Sequence, residues 1–274
     1  MTRNRAGLLV LAAALALPAA RAHADGGYLS PTDERLRLSL GIMQISAATA
    51  VRLDSSAGAT GTFFTAENAL GLQRSQIDPK FQVVVRAGER HCLRLDYFSL
   101  DRSHTETLTQ GPIAFRNVVL QNGDPVQTDL SLRMLGITYG YSFLHSEKYE
   151  IAATLGINEI DISARARVQT PVRHIDQTED QAGPFPTLGI DATWVASRRF
   201  YFDGRAQYLK VAVNNLQGTL AVYELDGLYR FRPNVSFALG YSLVKATLNS
   251  TQAAHSGLFD FRAKGPQLFV RVAF

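Results

Sequence analysis

The last ten residues, Gly265–Phe274, read GPQLFVRVAF. Leu268, Val270, Val272 and Phe274 alternate with Gln267, Phe269, Arg271 and Ala273. A period of two places the first set on one face of a β-strand. The apolar set runs to the final aromatic residue, where chain ends usually fray and are polar. The same grammar recurs upstream. Leu36, Leu38, Leu40 and Ile42 oppose Arg37, Ser39 and Gly41, and Phe81, Val83 and Val85 oppose Gln82 and Arg86. Leu135, Ile137, Tyr139, Tyr141 and Phe143 oppose Gly136, Thr138, Gly140 and Ser142. Val235, Phe237, Leu239, Tyr241 and Leu243 oppose Ser236, Ala238, Gly240 and Ser242.

Counted along the chain, the pattern predicts ten strands in five hairpins, with eight as the main alternative. Tight connections are expected near 88–90, 145–147, 197–199 and 232–234. Longer ones are expected near 53–79, 103–128, 167–183 and 250–260, with a shorter one near 214–217. The parity of apolar residues switches near Asn158-Glu159, after which Ile160 and Ile162 share a face, as a β-bulge would cause. Ala66–Leu72 has room for one or two helical turns. Asn122-Gly123 is a hairpin signal, so 102–128 reads either as a β-extension or as a polar loop with a local turn.

The amino terminus carries Arg3 and Arg5, an apolar run over Ala6–Ala20, and Ala22-His23-Ala24. This reads as a signal peptide, residues 1–24. Residues 25–34 follow as a periplasmic segment and 35–274 as the β domain. The chain has 28 basic and 24 acidic residues. The leader holds Arg3, Arg5 and Arg21 and no acid, which leaves 25 basic against 24 acidic. Near-neutrality, and the lack of a basic cluster with interleaved aromatics, argue against nucleic acid as a partner. Cys92 is the single cysteine, so no internal disulfide forms.

The polar face separates two kinds of β protein. A soluble sandwich wets its outer face and should carry many Lys, Glu and Thr there. Here Gly, Ser, Ala and Thr dominate, with sparse charges of both signs. That suits a crowded lumen in which Arg94, Asp96, Asp191, Asp203, Arg205, Glu224, Asp226 and Arg230 form a polar network. Arg94/Asp96 and Asp203/Arg205 each place opposite signs two residues apart on one face, and such charges are tolerable only as a network. Phe143, Tyr149, Trp194, Phe200, Tyr229 and Phe231 lie beside the short turns, while Tyr97, Tyr208 and Tyr223 lie seven to ten residues beyond one. At about 3.3 Å rise and a tilt of about 40° the two groups are about 20 Å apart, close to the girdle spacing of a membrane barrel.

The alternating last strand closed by Phe274 resembles the C-terminal signature of Gram-negative outer-membrane β-barrels. The resemblance to this broad class covers nearly the whole chain after the leader and singles out no characterised family within it. It implies an all-β, transmembrane, antiparallel up-and-down barrel in the cell outer membrane. Short turns would be periplasmic and long loops extracellular. Phe274 would act as the assembly signal. The implied partners are the barrel-assembly machinery, periplasmic chaperones, and outer-membrane lipid with lipopolysaccharide.

Motifs for chemistry are sparse. No GxGxxG, HExxH or CxxC occurs, and GYS at 140–142 and 240–242 lacks the nucleophile-elbow frame. No cofactor and no metal are expected. His174 and Asp176 in one expected loop and His255 and Ser256 in another are the candidate catalytic residues, since an Asp-His or Ser-His pair activates a nucleophile. The primary expectation is a non-enzymatic barrel, either a structural surface protein or a narrow channel for small solutes. The alternatives are a lipid- or peptide-modifying hydrolase with a rim site and a secreted soluble β protein.

Overall fold

A computed structural model describes residues 29–55, 59–115, 117–171, 173–213, 216–251 and 256–274. The signal-peptide reading and His255 lie outside these. Ten long strands form one antiparallel sheet. They are β1 (Leu36–Leu53), β2 (Ser75–Ala87), β3 (His91–Thr107), β4 (Pro125–His145) and β5 (Tyr149–Gln169). There follow β6 (His174–Val195), β7 (Phe200–Val213), β8 (Leu216–Arg232), β9 (Val235–Ser250) and β10 (Gly257–Ala273). Each pairs with its neighbour in sequence, and β10 pairs with β1 from Arg37↔Ala273 to Leu53↔Gly257. The sheet is therefore a closed barrel. Phe274 finishes the seam: its carbonyl accepts from the Arg35 and Leu36 amides, and its own amide donates to Leu36. From the tight turns up to Leu188↔Tyr208 and Lys80↔Phe98 closure leaves no free edge, which is what lets strands cross a bilayer.

The tight turns fall at one end. Gly88 supports its turn with φ of 70°, a conformation glycine adopts without strain. At the other end the first loop contains a short strand, Phe64–Thr65, and a single helical turn, α1 (Ala66–Ala69). Between β3 and β4 a small ladder pairs Ile113–Phe115 with Val118–Leu120. Asn122-Gly123 then turns the chain into β4, with Gly123 at φ 87°. The β-extension expected there is present.

Two expectations need correction. Residues 167–183 are not a loop: β5 and β6 continue to Gln169↔His174 as one long hairpin. Nor is there a bulge near Asn158. The ladder between β4 and β5 runs unshifted from Val126↔Val168 to Ser142↔Ala152, and its irregularity lies between Ser142 and Leu144, beside the turn. Ile160 and Ile162 keep the parity of Asn158 and point into the barrel.

What changes is the surroundings. Near the tight turns the outward side chains are apolar and bare: Leu239 is 65% and Leu225 64% exposed. On β4 they run from Phe143 to Leu135, a band about 20 Å tall at a tilt of about 40°. Beyond it the outward positions turn polar, with Arg133, Ser131 and Asp129 on β4 and Glu159, Asp161 and Ser163 on β5. The inward positions do the reverse. Ser142, Thr138 and Gly136 give way to Met134, Leu132 and Leu130 on β4, and Thr154, Gly156 and Asn158 give way to Ile160 and Ile162 on β5. The wall thus has a lower storey facing lipid and an upper storey facing water; most ladders run through both, but β6–β7 pairing ends at Leu188↔Tyr208 and β2–β3 pairing at Lys80↔Phe98.

Candidate functional site

The interior is built in layers. At the lower mouth, residues 29–35 fold across the opening. Ser30 donates to the Glu147 carbonyl at 2.7 Å, Thr32 is fully buried, and Arg230 binds Glu34 at 2.9 Å and the Leu29 carbonyl. His145 lies 3.2 Å from Asp33. Burial pushes the Glu34 carboxyl above its ordinary range, against the pull of Arg37, Arg271 and Arg230.

Above this lid lies a belt of charge. All eight residues of the expected lumen network point inward, and the structure sorts them. Arg94 Nε donates to Asp96 at 2.9 Å, and Arg94 also binds Asp191. Arg205 lies 3.3 Å from Asp96, 3.7 Å from Asp191 and 3.2 Å from Glu224. These five form one cluster. Asp203 is not paired with Arg205 two residues away. It binds Arg271 and accepts from Thr193 at 2.9 Å. Asp226 accepts from Gln267, and Arg230 serves the lid.

Partners not singled out from the pattern complete the belt. Arg86 grips Glu150 through both guanidinium nitrogens at 2.7 and 2.6 Å, with Ser142 also on that carboxylate. Lys80 reaches Glu224 and donates to Gln267 at 3.0 Å. Arg86, Glu150 and Arg271 all carry the inward parity, so alternation alone marked them. Partner choice did not follow from it, because β2 and β5 are not adjacent strands. With Arg37 and Glu34 included, seven cations face seven carboxylates. A cavity of about 80 Å³ lies within the belt, room for a few waters. Cys92 faces it. Close packing explains Gly240: a Cβ there would lie 1.8 Å from Asp226 Oδ1.

The third layer is apolar. Met43, Ile45, Phe98, Leu100, Leu132, Met134, Ile160, Leu220, Val222, Val244 and Phe261, with Ala47, Ala246 and Ala263, form one buried cluster. Seven strands contribute, and Phe185 of β6 packs against it. Over it sits a second cluster in which Phe64 and Leu70 of the first loop meet Leu108, Ile113, Leu120, Val126 and Val168. A buried ion pair pins that loop: Arg102 Nη1 donates to Glu67 Oε1 at 2.6 Å, and Glu67 Oε2 accepts from the Thr49 amide at 3.0 Å.

The candidate catalytic residues are placed as follows. His174 and Asp176 point outward from the wall on β6. Asp176 accepts from Arg165 at 2.7 Å, and that guanidinium holds its carboxyl below the usual range. Ser256 donates to Asp54 Oδ2 at 2.7 Å, while Asp54 Oδ1 accepts from the Gly61 amide at 2.9 Å. Burial opposes ionisation of Asp54, but Ser256, Gly61 and Arg52 together hold it below its ordinary value. Among the described residues no three His, Cys, Asp or Glu side chains are grouped to hold a metal ion.

No protein-family model matches the chain, and no curated protein matches it. Solved structures do. The outer membrane protease OmpT from Escherichia coli superposes with a TM-score of 0.57 at 10% identity, over 90% of this chain and 99% of that one. The translocator domain of the autotransporter NalP from Neisseria meningitidis gives 0.51 at 10% identity, over 88% and 89%. At such identity the likeness concerns the fold. The fold is that of the ten-stranded outer-membrane β-barrels, and the bare apolar band around the lower storey is the surface such a barrel gives to the outer membrane.

Proposed function

We propose that this chain is a sealed outer-membrane barrel, a non-enzymatic surface protein that anchors its upper wall and loops outside the cell and conducts no solute. A protease and a translocator share the fold, so architecture alone does not choose the activity. The observation that carries the reading is the single apolar cluster spanning the bore, in which Ile45 and Ala263 have no exposed surface at all. Ions do not cross such a layer without a polar path. The lid of 29–35 and the first loop close the barrel below and above it. In the charge belt six of the seven cations are ion-paired with six of the seven carboxylates, which leaves little selective field.

The hydrolase reading needs a free base and a free nucleophile, whereas Asp176 is held by Arg165 and Ser256 by Asp54. Among the described residues no other observation favours it. The test is conductance of the chain from Asp25 to Phe274 in a planar bilayer, after its heat-dependent gel mobility has verified insertion. Silence at moderate voltage is the expected result. Discrete steps from the unmodified barrel would reveal a continuous water path and replace the sealed reading with a narrow channel.

A further inference from the structure

Just above the apolar band, the outer wall is electrically lopsided. On β3–β6 charges of both signs are mixed and acids prevail, with Arg165–Asp176 and Arg167–Asp129 joined as ion pairs. On β7–β10 the outward positions carry Lys210, Lys245, Arg262 and Lys264, and Asp260 is the one acid among the described outward positions of these strands above the band. Among the described residues none of the four cations forms an ion pair, with Asp260 or any other carboxylate. Lys245 stands directly opposite Arg262 in the β9–β10 ladder. Facing side chains in such a pair are about 5 Å apart at Cβ, and like charges there repel. Lys264 lies two residues along the same face. Repulsion of this kind is relieved by an anion from outside the chain.

The height of the patch says where that anion is. Lys210 is two residues above Tyr208, Lys245 four above Tyr241, and Lys264 two above Pro266 at the edge of the band. Along a tilted strand that is about 5–10 Å beyond the last apolar side chain, the level of lipid headgroups. Long Lys and Arg side chains reach that plane while their stems cover apolar surface.

We propose that the β7–β10 face binds the phosphate groups of a phosphorylated glycolipid of the outer leaflet, with Lys210, Lys245, Arg262 and Lys264 as its ligands. Arg262 offers a planar fork and the lysines mobile point charges, a set suited to phosphate oxygens. The inference holds whether or not the bore conducts.

The test compares the chain from Asp25 to Phe274 refolded into phosphatidylcholine vesicles containing lipid A with both phosphates, or lipid A stripped of phosphate. The readout is the temperature at which the heat-resistant folded band disappears on a gel. Phosphorylated lipid A is expected to raise it by several degrees, and the stripped lipid to leave it unchanged. The rise should be lost in the variant K210Q/K245Q/R262Q/K264Q, roughly halved in K210Q/K245Q, and kept in R133Q/R167Q on the opposite face. High salt should diminish it. Equal rises with both lipids, or a rise retained by the fourfold variant, would overturn the proposal. So would a rise from inorganic phosphate with no lipid A, which would mean a free-anion site. A rise that instead tracked protein density and crosslinking between copies would assign the face to a second copy of the chain.

Discussion

The lower and upper storeys of the barrel share strands and, on most of them, one continuous register, yet their side chains are inside out relative to one another. On β5, Ile157 faces out and Asn158 in; a few residues further, Asp161 faces out and Ile160 in. On β4, β5 and β6 the ladders run through both halves without a break at the boundary. The solvent is what differs: lipid outside the lower storey demands apolar side chains there and permits charge only where it is paired within, whereas water outside the upper storey restores the polarity of an ordinary soluble barrel. Each storey therefore stabilises itself differently, the lower by a closed ion network and the upper by apolar packing.

The largest expected effect lies in the lower network. Arg205→Met removes the cation shared by Asp96, Asp191 and Glu224. Breaking a buried pair from one side costs about 3–5 kcal/mol, read as a shift in the denaturant midpoint of the refolded barrel. A loss below about 1 kcal/mol would mean that water, not the network, solvates these carboxylates. The upper storey answers to volume instead. Leu100→Ala, in the apolar cluster, is expected to cost about 2–5 kcal/mol, while Leu100→Met should stay below about 1.5 kcal/mol. If both cost the same, the cluster is loosely packed and the seal is in doubt.

The outer face gives a sharper contrast on a single strand. Leu155→Lys, opposite Tyr139 in the middle of the apolar band, places charge on the lipid side and should cost about 2–4 kcal/mol. Asp161→Lys, with the same parity three outward positions along, should change stability by only about 0.5 kcal/mol. Equal tolerance would erase the boundary between storeys. Deleting Phe274, whose backbone closes the β10–β1 seam, should lower assembly in cells; undiminished yield of folded protein would count against its role as an assembly signal.

Much of the lower storey was legible in the sequence, because lipid and a crowded lumen impose opposite rules on alternate residues. Ten strands, their tight turns and the inward direction of Arg94, Asp96, Asp191, Asp203, Arg205, Glu224, Asp226 and Arg230 follow from parity alone. The upper storey was not, since the same alternation has the opposite meaning there. Ile160 and Ile162 read as a shifted lipid face when they are a core. His174–Gly183 reads as a loop because its composition is polar and lacks aromatics, yet its pairing with β5 is continuous. Ion-pair partners were invisible for another reason. Arg86 and Glu150 meet across the bore, and Asp203 passes over Arg205 for Arg271, choices that depend on shear and curvature and not on local spacing.

A smaller loss tests the rim, where the upper storey meets open water. Ser256 and the Gly61 amide both bind the Asp54 carboxylate, joining the start of the first loop to the foot of β10. Ser256→Ala should cost about 1 kcal/mol at neutral pH, the worth of one hydrogen bond. Because the folded state holds this carboxyl below its ordinary range, the stabilisation is present above the unfolded value of about 3.9 and is lost as pH falls through the folded one. The native chain and the variant should therefore converge in unfolding midpoint under strong acid and differ above about pH 5. A gap that persisted unchanged into acid would mean that Ser256 acts through packing, and the rim would then be stabilised like the apolar cluster beneath it, with no ionic contribution of its own.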